Sequence, residues 1–116
     1  MPDLNHVVVC GRLTRDVELR KVPSSGVSVT ELSVAINDRR KDHHGQWITD
    51  STFVEVTVWG SAAENAAETL GVGSTVLVNG RLKMNQWEAE GEIRSRLRVV
   101  ADRLQHWREE VSSEGD

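Results

Sequence analysis

The sequence predicts an all-β domain: a small closed barrel of five strands, with one helix between the third and fourth. Three observations carry this. Short β-branched, apolar stretches recur along most of the 116 residues. Only "SAAENAAETLG" has the alanine-rich interior and end signals of a helix. The stretch "VSVTELSVAIND" changes the phase of its apolar face partway along, as a strand bent around a barrel does.

The elements follow in order. "NHVVVCGRL" is apolar on both faces, which suits a central or interface strand, and Gly11 within it marks a bulge or bend. "PSSG" at residues 23–26 is a turn. In the second strand Val27 and Val29 share one face, and Leu32, Val34 and Ile36 the other. A bulge near Thr30 and Glu31 would reconcile them. Residues 38–50, "DRRKDHHGQWITD", read as a long polar loop, a length often tied to function. "TFVEVTVWG" is the third strand, with Val54, Val56 and Val58 on its core face. In the helix, Ser61 and Glu64 have capping-box spacing, and Gly71 can close the end. "STVLVNGRLK" follows, with Val76, Val78 and Leu82 on one face. "MNQWEAEGEI" forms a hairpin tip around Glu90 and Gly91. In the last strand, "RSRLRVVA", Leu97 and Val99 point one way while Arg94, Arg96 and Arg98 point the other. This order describes an OB-fold barrel over residues 1–107. Residues 108–116 are expected to be a short, acidic, mobile tail.

Composition limits the choice of function. No apolar run approaches membrane-spanning length, and the N-terminus lacks a signal-peptide pattern, so an intracellular setting is expected. The lone Cys10 cannot form an internal disulfide; its apolar neighbours suggest a small buried hydrophobe. The net charge of −4 runs against binding a polyanion. The excess acid is concentrated after residue 98, however. Residues 1–98 hold twelve Lys and Arg against thirteen Asp and Glu.

Those cations stand among aromatics. Phe53 and Trp59 lie on the polar face of the third strand, with Glu55 and Thr57 between them. A second core layer would more naturally use Val or Leu there. Aromatics along a polar strand face make a stacking platform for unpaired bases, at roughly 1–3 kcal/mol per base. Trp47 in the loop and Trp87 at the hairpin extend the set. Docking of its own loop onto the barrel is the equal alternative for Trp47. Trp107 reads as barrel cover or interface. The expected phosphate-neutralising set is Arg39, Arg40, Lys41, Lys83, Arg94 and Arg96. Arg98 nears the strand end and is left out. The single helix carries Glu64 and Glu68 and no base-reading side chains, unlike a duplex reader.

These residues resemble the bacterial single-stranded DNA-binding protein family. The likeness runs from about Leu4 to Leu104, through "LNHVVVCGRLTRDVELR", "SVAINDR", "TFVEVTVWGSAAENAA", "GSTVLVNGRL" and the Trp of "NQWEAEGEIR". It implies a homotetramer in which first strands of two subunits pair and dimers associate face to face. It also implies DNA wrapped outside, with stacking by Phe53, Trp59 and Trp87. The implied role is to coat and protect unpaired DNA in replication, recombination and repair, in the cytoplasm beside the nucleoid. The sequence departs from the family at Arg40, where an aromatic is frequent, and at His6, where Lys is common. Asn85 and Gln86 stand where basic residues often precede the hairpin Trp. Fewer cations imply a weaker salt dependence. Family members commonly end in an acidic tip closing on Pro-Phe that recruits replication and repair enzymes. This sequence ends "SSEGD", which implies a truncated form or a short paralogue without that means of recruitment.

Two other functions compete with this reading. An OB-fold protein-interaction module of the primosome type would suit the acidic balance, its aromatic face meeting a protein. The arginine ladder at 94, 96 and 98 favours DNA. An enzyme is disfavoured. His43-His44 with Asp42 is the only candidate metal set, and no third ligand has zinc spacing. No Ser/His/Asp set, P-loop or HExxH motif appears. No cofactor or metal is expected.

Overall fold

The computed structural model describes residues 2–107; the expected tail lies outside them. Strands β1 (Val7–Leu13), β2 (Arg20–Lys21), β3 (Ser28–Lys41) and β4 (Trp47–Trp59) precede helix α1 (Ser61–Thr69). Strands β5 (Thr75–Ala89) and β6 (Glu92–Trp107) follow it. Their order in the sheet is β1-β5-β6-β4-β3-β2, and β1 pairs also with β3. That second pairing closes a five-strand barrel, with the two-residue β2 as an addition at its rim. This is the OB-fold order the sequence predicted.

Closure is tight at two glycines. A Cβ on Gly11 would lie 2.3 Å from the Ala35 carbonyl oxygen, where β1 crosses onto β3. A Cβ on Gly80 would lie 2.1 Å from the Val100 carbonyl oxygen. Of the bulge or bend expected at Gly11, no bulge appears, since β1 keeps its register with β5 from Val7 to Arg12; a register shift lies in the β5–β6 ladder, between Asn79 and Gly80. Asp102 falls between the paired Ala101 and Arg103 there and meets Arg81 in an ion pair.

The core holds the inward valines and leucines of every long strand: Leu13, Leu32, Val34, Val56, Val58, Val76, Val78 and Val99. The helix contributes Ala63 and Ala66, small enough to seat it against β3 and β4. Ser61 is not its cap. Gly60, at φ 71°, holds the N-cap position without a side-chain bond, and its carbonyl accepts from Ala63 and Glu64 N–H. The Glu64 carboxylate instead accepts from Ser28 Oγ at 2.6 Å, tying helix to strand. Gly71 takes no left-handed turn; its N–H donates to Ser74 Oγ.

Further expectations change. The β3–β4 ladder runs unshifted from Val29↔Trp59 to Lys41↔Trp47, so β3 has no bulge against β4 at Thr30–Glu31. Thr30 takes the inward place instead, its hydroxyl donating to the Glu18 carbonyl at 2.7 Å. Val27 falls before the strand and is exposed. Cys10 is exposed, because Val7 and Val9 take the core side of β1 and leave Val8 and Cys10 outside. The loop at 38–50 is mostly strand: β3 and β4 extend past the barrel as a ribbon turning at residues 42–46. Asp42 Oδ1 accepts from the His44 and Gln46 N–H groups and so builds that turn. Leu82 keeps the inward phase of β5, but lies beyond the barrel and is exposed.

Candidate nucleic-acid interface

Strand geometry assembles the site. Residues of like parity on β4 share a face, so Trp47, Phe53 and Trp59 stand in one row. Six residues separate each from the next, roughly 20 Å at strand rise. Their exposures are 58%, 66% and 44%, so all three rings are open to a ligand. Trp47 therefore belongs to the strand platform rather than to a loop. Its ring carries Arg39 at 5.0 Å and Lys41 at 5.3 Å from the centroid, within cation–π range.

The second hairpin supplies the other half. Trp87 lies opposite Arg94, Asn85 opposite Arg96 and Lys83 opposite Arg98, so these six share one face. The parallel contact of Thr57 with Val100 puts that face in continuity with the aromatic row. Trp87 is 45% exposed. The turn joining β5 to β6 uses Glu90 at φ 53° and Gly91 at φ 80°, as a two-residue hairpin requires.

The cations are not equivalent. Among the described residues, Arg39, Lys41, Lys83 and Arg96 make no ion pair. Arg94 has only the exposed Glu92 at 3.9 Å. Arg40 projects from the opposite face of the ribbon, where it meets Asp50 in an ion pair, apart from the aromatic row. Nine of the ten expected site residues thus share one surface, and Arg40 does not.

Sequence reading missed Glu31 as part of this face. It takes Arg98 at 3.5 Å and Arg20 at 3.6 Å, while Glu55 takes Arg15 at 3.3 Å. No local signal marks these pairs, which join residues distant along the chain. The Trp47 placement did have a signal, its shared parity with Phe53 and Trp59. The side chain of Trp107 lies outside what is described. The His43 and His44 rings sit 4.3 Å apart on the ribbon turn. No cluster of three or more His, Cys, Asp or Glu suited to a metal occurs among the described residues. No helix among them is long and apolar enough to cross a membrane.

Comparison with known proteins agrees with this architecture. The model of the "Single-strand binding protein family" matches residues 4–107. The single-stranded DNA-binding protein of Treponema pallidum is 42% identical over 105 residues, covering 90% of this chain and 58% of that protein. The crystal structure of the wild-type single-stranded DNA binding protein from Thermus aquaticus superposes with a TM-score of 0.77 at 32% identity. That match covers 90% of this chain and 50% of the Thermus chain. A Plasmodium falciparum SSB complex with ssDNA shares the fold, with a TM-score of 0.82 at 17% identity over 92% of this chain and 97% of that one. The chain thus spans 58% of the length of the Treponema protein and half that of the Thermus chain.

Proposed function

This chain belongs to the single-strand binding protein family, and from that premise we propose that it coats and protects single-stranded DNA in replication, recombination and repair, without catalysis. The observation that carries the reading is the row of exposed rings on β4, continuous with the Trp87 and arginine face of the β5–β6 hairpin. Unpaired bases stack on Trp47, Phe53, Trp59 and Trp87. Every base has a π-face, so this contact tolerates any sequence. Arg39, Lys41, Lys83, Arg94 and Arg96 neutralise phosphates beside the rings. Binding free energy opposes re-formation of the duplex; no bond is made or broken. That the Treponema and Thermus relatives are single-stranded DNA-binding proteins supports the same reading.

The oligomer belongs to this proposal. β1 pairs with β5 along Val7–Arg12, but meets β3 only at Arg12 and Leu13. The rest of its second edge is unpaired among the described residues, and Val8 and Cys10 are exposed beside it. An apolar edge strand of this kind favours pairing with another copy. β1-to-β1 pairing, and association of two such dimers, would give a homotetramer.

Tryptophan emission during titration with oligo-dT, with light scattering on the same samples, tests the reading. Saturable quenching and a mass of four chains are expected. No quenching and no mobility shift at low salt would overturn it.

A further inference from the structure

Beyond their short parallel contact the β3–β4 and β5–β6 hairpins part, leaving a notch between two strand edges. β6 pairs with β5 from Glu92 to Trp107, but with β4 only at Val99 and Val100. β4 pairs with β3 from Trp47 to Trp59, but with β6 only at Val56 and Thr57. The notch holds a recess of about 410 Å³, with Phe53, Val54 and Glu55 on the β4 wall and Arg96, Leu97 and Arg98 on the β6 wall. Residues 92–98 thus form a strand edge with no neighbouring strand among the described residues. An edge of this kind is a template for pairing with another chain.

The two faces of this edge differ in chemistry. One carries Arg94 and Arg96, of which Arg94 has only Glu92 at 3.9 Å and Arg96 makes no ion pair among the described residues. The other carries Ile93 and Leu97, 77% and 57% exposed, with the exposed Met84 directly across from Leu97. These apolar side chains continue the inward phase of Val99 past the end of the core. A strand laid beside β6 alternates in the same way, every second side chain falling on the arginine face. A second copy of this edge fits poorly. Pairing β6 with itself about a two-fold axis keeps like faces together and sets arginines against arginines, which is destabilising. The open edge of β1 differs, because it carries Val8 and Cys10. Charge complementarity asks for carboxylates on one face of the incoming strand, and Ile93 and Leu97 ask for apolar groups on the other.

We propose that residues 92–98 form a β-addition site for an extended partner peptide that alternates acidic and apolar residues. Main-chain hydrogen bonds to β6 supply the affinity, and the alternation supplies the specificity. The peptide's carboxylates meet Arg94 and Arg96. Its apolar side chains meet Ile93, Leu97 and Met84. Arg94 and Arg96 also belong to the proposed DNA surface, so peptide and DNA compete for them.

The test uses the full chain and two end-capped synthetic peptides long enough to span residues 92–98. One alternates Glu and Val; the other has the same composition in two blocks. Fluorescence anisotropy reads binding, and amide hydrogen exchange by mass spectrometry reads its place. The alternating peptide is expected to bind, to slow exchange within residues 92–98 and to leave β1 unchanged. The block peptide is expected to do neither. Arg94→Gln with Arg96→Gln, both exposed, should weaken the alternating peptide about fivefold, as the loss of two exposed ion pairs implies. No binding, equal binding of the two peptides, or protection confined to β1 would overturn the proposal. Protection of 92–98 that comes with rising chain concentration alone would give the edge to a second copy, and would overturn it too. Oligo-dT quenching is read separately, so failure of the DNA reading shows there and leaves the peptide result standing.

Discussion

The salt dependence of DNA binding separates cations that face the aromatic row from those that do not. Arg96 and Lys83 lie on the shared face and make no ion pair among the described residues, whereas Arg40 is held by Asp50 on the other side of the ribbon. Each phosphate neutralised on a single strand contributes about −0.7 to the slope of log K against log salt. Arg39, Lys41, Lys83 and Arg96, the expected site cations without an ion-pair partner among the described residues, therefore give about −3 per protomer, and Arg94 brings it nearer −3.5. The double substitution Lys83→Gln with Arg96→Gln should flatten the slope by about 1.4, and Arg40→Gln by close to zero. The assay is quenching by a dT oligomer matched to the roughly 40 Å between Trp47 and Trp59, titrated across a salt series. An Arg40→Gln slope as flattened as that of Arg96→Gln alone would refute the assignment of faces.

Three other substitutions give distinct outcomes. Phe53→Ala should weaken dT binding by about 1–3 kcal/mol, yet change stability to denaturant by under ~0.5 kcal/mol, because the ring is exposed. Gly11→Ala should destabilise the fold by about 1–3 kcal/mol in the same denaturation, since its methyl would meet backbone at Ala35. Glu90→Asn should stabilise by roughly 0.5–1 kcal/mol, because asparagine tolerates the left-handed turn that Glu90 adopts; a loss of stability there would contradict the turn geometry.

What could be read from the sequence follows from how local each signal is. The Val54, Val56 and Val58 stripe and the polar face with Phe53 and Trp59 obey a two-residue period that nothing distant alters. The Glu90-Gly91 tip is set by its own residues. The β3–β4 ribbon eluded that reading because it buries no core and so lacks apolar alternation. Polar cross-strand contacts hold it instead, among them Arg40 with Asp50 and Ser51 Oγ donating to Asn37 Oδ1 at 2.6 Å. Thr30 replaced an expected bulge because its hydroxyl found the Glu18 carbonyl, a partner no pattern announces. The capping role expected of Ser61 passed to Gly60, whose positive φ is set by the turn from β4 into the helix. Within the candidate site the rings and most cations were legible, while the carboxylates of Glu31 and Glu55 acquired their partners only on folding.

Ultraviolet cross-linking of bound dT, mapped by mass spectrometry, asks most directly where the strand lies. The account predicts adducts on Trp47, Phe53, Trp59 and Trp87, all on one continuous sheet face. Adducts confined to α1 or β1, with those four rings unmodified, would contradict it.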